Sequence, residues 1–135
     1  MRVVFDTNVL IAALISRGVC AELLEHCVLH HTIFLSEEIL NEFQEQLIRK
    51  LGYSQQDVID SIELLRSKAQ MVNPVELALP VCRDPDDDVI LATSTAAGAA
   101  CLITGDKDLL VLKQFEEVSI ISPSKFSDFE DRTSN

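Results

Sequence analysis

Four carboxylates far apart in the chain are placed where they could do chemistry: Asp6, Glu42, Asp88 and Asp106. Asp6 closes the β-branched apolar run Arg2-Val3-Val4-Phe5, and Asp106 follows the apolar run Cys101-Leu102-Ile103-Thr104 by two residues. Glu42 lies almost two turns into an amphipathic segment, and Asp88 ends the acidic run Asp84-Pro85-Asp86-Asp87-Asp88 that opens another. Helical side chains lean toward the helix N-terminus, so both acids would reach back toward the ends of strands. Carboxylates gathered without matching bases repel one another, raising some pKa values and lowering stability, unless a cation sits among them. Oxygen-only donors favour Mg²⁺ or Mn²⁺ over zinc. Such an ion activates water for attack on phosphorus and stabilises charge on the leaving oxygen. Each acid also has a structural use. Asp6, Asn8 and Asp106 suit helix caps, Asp84 to Asp87 suit a helix N-terminus, and Glu42 suits a solvated surface. The joint pattern favours the chemical reading.

The elements that must position these acids alternate between strand and helix. The strand Arg2 to Phe5 leads to a helix through Val9 to Leu14 that stops near Arg17-Gly18, and a second helix over about Val19 to Leu29 precedes the strand Thr32 to Leu35. Ser36 is an N-cap, with Glu37 and Glu38 in the first turn, Ile39, Leu40, Phe43 and Leu47 as the apolar stripe, and Gly52 at the end. Ser54 starts a further helix carrying Val58, Ile59, Ile62 and Leu65, and Met71-Val72-Asn73 reads as a third strand. Pro85 suits the first position of a helix that Gly98 ends. Cys101 to Thr104 is a buried strand, a short helix follows Asp106, Val118 to Ile121 is a fifth strand, and Ser122-Pro123 opens a terminal helix. Apolar strands linked by helical crossovers imply a three-layer, doubly wound parallel sheet. An order of 3-2-1-4-5 places a ligand crevice between strands one and four, where Asp6 and Asp106 would meet.

The composition fits one domain over residues 1–130, with 131–135 as a frayed tail, because 47% hydrophobic residues supply a two-sided core. No apolar run approaches the roughly 20 residues needed to span a bilayer, and a cytoplasmic protein is expected. Cys20, Cys27, Cys82 and Cys101 are scattered in apolar contexts and read as reduced thiols. His26 and His30 have helical i, i+4 spacing beside Cys27, but no second pair elsewhere matches them, so a zinc site is not the expectation. The net charge of −11 repels polyanions. A nucleic-acid substrate would therefore need metal cations in the acidic cleft, and phosphate contacts from groups such as Arg17, Arg49, Lys50 or Lys107.

Taken in order, four segments resemble the motifs of the PIN-domain family, in particular the VapC-like toxins of bacterial toxin–antitoxin pairs. They are Val4-Phe5-Asp6-Thr7-Asn8-Val9-Leu10, Ser36 to Phe43 with Glu42, Asp84 to Ala92, and Thr104-Gly105-Asp106-Lys107-Asp108. The resemblance covers nearly the whole chain. It implies a metal-dependent ribonuclease with Asp6, Glu42, Asp88 and Asp106 as ligands of Mg²⁺ or Mn²⁺, and Asp87 as the alternative to Asp88. Asn8 and Thr104 would be supporting polar residues, and Ser36 and Asp108 either assist or serve as cap and turn residues. It further implies an RNA substrate, a homodimer and a small antitoxin partner.

Among the side chains there is no serine, cysteine or histidine constellation that supplies a nucleophile and base, so hydrolysis by metal-activated water is the expected route. A haloacid-dehalogenase-like phosphatase is the enzymatic rival, since it too has an aspartate after strand one and a later Gly-Asp pair. Its second aspartate, two positions after the first, is Asn8 here. The third reading is a catalytically silent domain that binds metal, RNA or a partner for regulation.

Overall fold

The computed structural model describes residues 1–133. Its elements are β1 (Arg2–Phe5), α1 (Thr7–Ile15), α2 (Val19–His30), β2 (Thr32–Leu35), α3 (Glu37–Leu51), α4 (Gln55–Lys68), β3 (Ala69–Met71), α5 (Pro85–Ala96), β4 (Cys101–Ile103), α6 (Lys107–Leu110), β5 (Gln114–Phe115), β6 (Val118–Ile121) and α7 (Phe126–Thr133), the last preceded by a 3₁₀ turn at Pro123–Lys125. The sheet order is β3-β2-β1-β4-β6-β5. Its first five members are all parallel, with β1 paired to β2 at Val3↔Ile33 and to β4 at Val4↔Leu102. This is the expected doubly wound order, extended by one strand.

The extra strand is a correction to the five-strand reading. β5 is two residues long and pairs antiparallel with β6 through a turn. Lys113 and Glu116 there adopt φ of 63° and 51° without being glycine. Residues 113–117 contain neither the glycine nor the alternating apolar pattern that marks a hairpin, so no sequence signal announced it. β3 also starts two residues earlier than expected, at Ala69, where its register with Ile33 fixes it. α7 continues through residues 131–133, which were expected to fray. Ser134 and Asn135, the rest of that expected tail, lie outside the described residues.

Val3, Val4 and Phe5 in β1, and Cys101, Leu102 and Ile103 in β4, are all fully buried. Consecutive strand residues point to opposite faces, so this burial requires helices on both sides of the sheet. α3 is built as its sequence implies. Ser36 caps it by accepting the Ile39 amide at 3.3 Å, Ile39, Leu40, Phe43 and Leu47 form its buried stripe, and Gly52 ends it in the left-handed conformation at φ 64°. Among the described residues, no single helix is long and apolar enough to cross a membrane.

Candidate metal centre

The carboxyl ends of β1 and β4 lie side by side, and the chain turns out of each strand on an aspartate. Asp6 is the N-cap residue of α1, yet its side chain makes no capping hydrogen bond. Its Oδ2 instead accepts the Thr104 hydroxyl at 2.6 Å, and Thr104 Oγ1 in turn accepts the Asp106 amide at 3.0 Å. One fully buried hydroxyl thus ties the two turns together, which is why Asp6 and Asp106 share a crevice.

Asp106 caps α6 by accepting the Asp108 amide at 2.8 Å. From α5, Asp87 enters the same space. Asp87, Asp106 and Asp108 each bring one carboxylate oxygen within 4.8 Å of the other two. Burial, followed by the charge of Asp106, pushes the Asp87 carboxyl up to about 7. Asp6 is likewise raised, chiefly by burial and then by Asp106, with the Thr104 hydroxyl and the Thr7 and Asn8 amides pulling it partly back. Glu42 reaches in from α3, with Oε2 accepting from Thr7 Oγ1 at 3.3 Å and Oε1 from Gln46 Nε2 at 3.1 Å. Its carboxyl is also raised, by burial and by Asp86, Asp6 and Asp84.

Asp88 is placed differently from expectation. Its carboxylate accepts the Cys82 amide at 2.8 Å and the Val81 amide at 3.2 Å, which fastens the loop before α5 instead of joining the acidic group. Asp87 takes the place expected for it. Pro85 sets the start of α5, and from there Asp87, Ile90, Leu91 and Ser94 follow i, i+3, i+4, i+7 spacing and are all buried. That spacing is visible in the sequence and favours Asp87, whereas the loop fastened by Asp88 has no such pattern.

The supporting residues divide. Thr104 is central. Ser36 is turned to structure, its hydroxyl accepting both the Ile39 amide and the Thr93 hydroxyl at 2.9 Å, which pins α3 to α5. Asn8 is exposed in the first turn of α1. Asp108 sits at the rim, where Arg83 Nη2 donates to both of its oxygens at 2.8 and 2.9 Å. Thr7, Gln46 and Arg83 were not anticipated, since their roles come from contacts across elements and not from local spacing.

A site of oxygen donors with mutually raised carboxyls suits a hard divalent cation, which would lower the repulsion that Asp87 and Asp106 now share. The PIN domain family model matches residues 2–108. The chain belongs to the PIN domain family. An uncharacterized protein of Methanocaldococcus jannaschii, MJ1680, is 27% identical over 126 residues, covering 84% of this chain and 76% of that protein. Among solved structures, VapBC2 from Rickettsia felis bound to a DNA fragment from their promoter matches with a TM-score of 0.66 and 15% identity, over 90% of this chain and 98% of that one. VapBC-1 from nontypeable Haemophilus influenzae matches with a TM-score of 0.65 and 18% identity, over 93% and 100%. At these identities the two structures share the fold.

Proposed function

We propose that this PIN domain is a metal-dependent endoribonuclease that hydrolyses RNA phosphodiester bonds, and that it is the toxin half of a toxin–antitoxin pair. The observation that carries the reading is the convergence of Asp87 and Asp106 with Asp6 on one side and Asp108 on the other, with Asp6 and Asp87 buried and Asp106 and Asp108 open to the cleft. PIN domains are generally nucleases. Mg²⁺ or Mn²⁺ fits the donor set, and when bound would supply activation of water and relief of negative charge at the scissile phosphate.

Asp6, Asp87 and Asp106 are the residues that would hold the ion, with Glu42 as the fourth carboxylate at the α3 side. Thr104 fixes the direction of the Asp6 carboxylate and the path of the Asp106 turn. Thr7 and Gln46 hold the two oxygens of Glu42. Asn8, exposed two residues beyond Asp6, takes a supporting polar role toward water or substrate. Arg83 at the rim offers a cation that Asp108 orients.

The partner assignment rests on a different face. An apolar groove of about 390 Å³ runs between α1, α2 and α4, lined by Leu10, Leu14, Leu24, Val28, Leu64 and Leu65. Its lining suits an apolar segment of an antitoxin, and both structural neighbours are VapBC assemblies. A homodimer in the cytoplasm completes the reading. PIN membership leaves the phosphatase alternative without support.

The test is incubation of purified protein with several RNAs and Mg²⁺ or Mn²⁺, beside Asp6→Asn and Asp87→Asn. Cleavage by wild type that a chelator stops and both variants lose is the expected result. Equal cleavage by wild type and Asp6→Asn removes the proposal. Metal binding with no turnover on any RNA favours the silent-domain reading.

A further inference from the structure

A second convergence of ligating side chains lies at the other edge of the sheet, where β1 and β2 begin. α2 ends at His30, with His31 as its C-cap immediately before β2. α7 lays Glu130 against this end. Glu130 Oε2 is 2.7 Å from His26 Nε2 and 2.5 Å from His31 Nε2, so both rings direct the same nitrogen at one point. The N-terminal ammonium of Met1 lies 3.0 Å from His31 Nδ1 and donates to it, so the Nε2 that faces Glu130 carries the ring proton, which an ion bound at Nε2 would displace. Phe126, also on α7, packs edge-on against both rings, with centroids 6.2 Å from His26 and 5.7 Å from His31.

This trio is sunk but reachable. The side chains are 9% exposed for His31, 22% for Glu130 and 41% for His26, and His26 and Glu130 open onto a shallow cleft that Glu22, one turn before His26 on α2, also lines. One nitrogen from each imidazole and one carboxylate oxygen all lie within 4.8 Å of one another. Two imidazoles and a carboxylate are the donors of a borderline divalent ion, at about 2.0–2.2 Å from each ligand atom. Tetrahedral angles at those lengths put the ligand atoms roughly 3.3 Å apart. The present contacts would open by less than about 1 Å, within reach of a small rotation of the glutamate. Nitrogen donors separate this site chemically from the all-oxygen cleft at the opposite edge of the sheet.

We propose that His26, His31 and Glu130 form a second metal site, for an ion of the Zn²⁺ type, which clips α7 to the end of α2 and the start of β2. Water fills the remaining coordination positions, and the role is to fasten the C-terminal helix. The i, i+4 pair His26 and His30, which the sequence suggests, is not the pair used: the rings lie 4.7 Å apart at an angle of 45°, and it is His31 that shares Glu130 with His26.

The test is titration of the full-length protein with Co²⁺ alone, whose visible absorption reports nitrogen ligation, followed by displacement with Zn²⁺. One Co²⁺ per chain should give visible bands that persist in the double variant Asp6→Asn/Asp106→Asn, in which the cleft is impaired. His26→Ala, or His26→Gln if the smaller residue does not fold, and His31→Ala should each weaken Zn²⁺ binding about 100-fold or more, while His30→Ala leaves it within about 3-fold. Zn²⁺ should also protect α7 from proteolysis in wild type and in the cleft variant. Absence of visible bands, bands unchanged in the folded His26 variants, or bands lost in His30→Ala and kept in His31→Ala would each overturn the proposal.

Discussion

Two adjacent aspartates with opposite tasks give the sharpest test at the scale of the residue. Asp87 faces Asp106, whereas Asp88 holds the Val81 and Cys82 amides. On the proposed reading, in which Asp87 holds the ion, Asp87→Asn should reduce RNA cleavage about 100-fold or more. Asp88→Ala should instead lower stability by about 1 kcal/mol through the orphaned amides, with the rate per folded molecule little changed. Cleavage assays and denaturant unfolding on the pair separate the two; the reverse pattern would return the ligand role to Asp88. Asp87 also sets a pH dependence. Its folded carboxyl is raised from 3.8 to about 7, so between those values the folded protein holds more protons than the unfolded chain. Stability of the metal-free protein should therefore fall as pH rises through about 4 to 7, by on the order of 2 kcal/mol from this group after allowance for solvent in the open cleft. Unfolding midpoints against pH, in chelator, should show a shallower slope in Asp87→Asn.

Among the elements, α3 was legible almost residue by residue, because a cap, an acidic first turn, an apolar stripe and a terminal glycine all agree on one helix. The sequence could not show that its cap is shared. Ser36 also accepts from Thr93, 57 positions away, so its hydroxyl joins α3 to α5 inside the core. Ser36→Ala should destabilise by about 1 kcal/mol, since Ile39 loses its cap and α3 its hydroxyl link to Thr93, whose own hydroxyl keeps the Val89 carbonyl as acceptor at 2.8 Å. Urea unfolding measures this, and an effect below about 0.3 kcal/mol would mean that neither the cap nor the link to Thr93 contributes to stability. Gly52→Ala, at φ 64° with open space around it, should cost about 1 kcal/mol from backbone strain alone. The elements that escaped the sequence, β5 and the first two residues of β3, are short and fixed by pairing, where register with a neighbour outweighs local pattern. The same reason explains Asp88: side-chain pattern announces a helix start, but not which loop amides will lie beside it.

At the scale of the whole molecule, a chain of net charge −11 is built around a knot of acids, and the two facts act together. The cleft sits where the sheet order reverses between β1 and its neighbours β2 and β4, so closing the fold is what forces Asp6, Asp87 and Asp106 together. The repulsion among them is absent in the unfolded chain, which makes it a charge against folding that a cation in the cleft removes. Mn²⁺ binding to the folded state alone should then raise stability by about 2.7 kcal/mol at 100 times its dissociation constant. The gain should appear as an upward shift of the thermal midpoint by several degrees in a domain of this size. Because bound carboxylates must be deprotonated, the shift should be large at pH 8 and small at pH 5, opposite in direction to the metal-free trend. Asp87→Asn and Asp106→Asn should blunt the response, whereas His26→Ala, at the other edge of the sheet, should leave the Mn²⁺ response intact. Thermal scans at both pH values with and without Mn²⁺ decide it: a shift that survives loss of both Asp87 and Asp106 places the ion outside the cleft and severs the link between the acids and the metal.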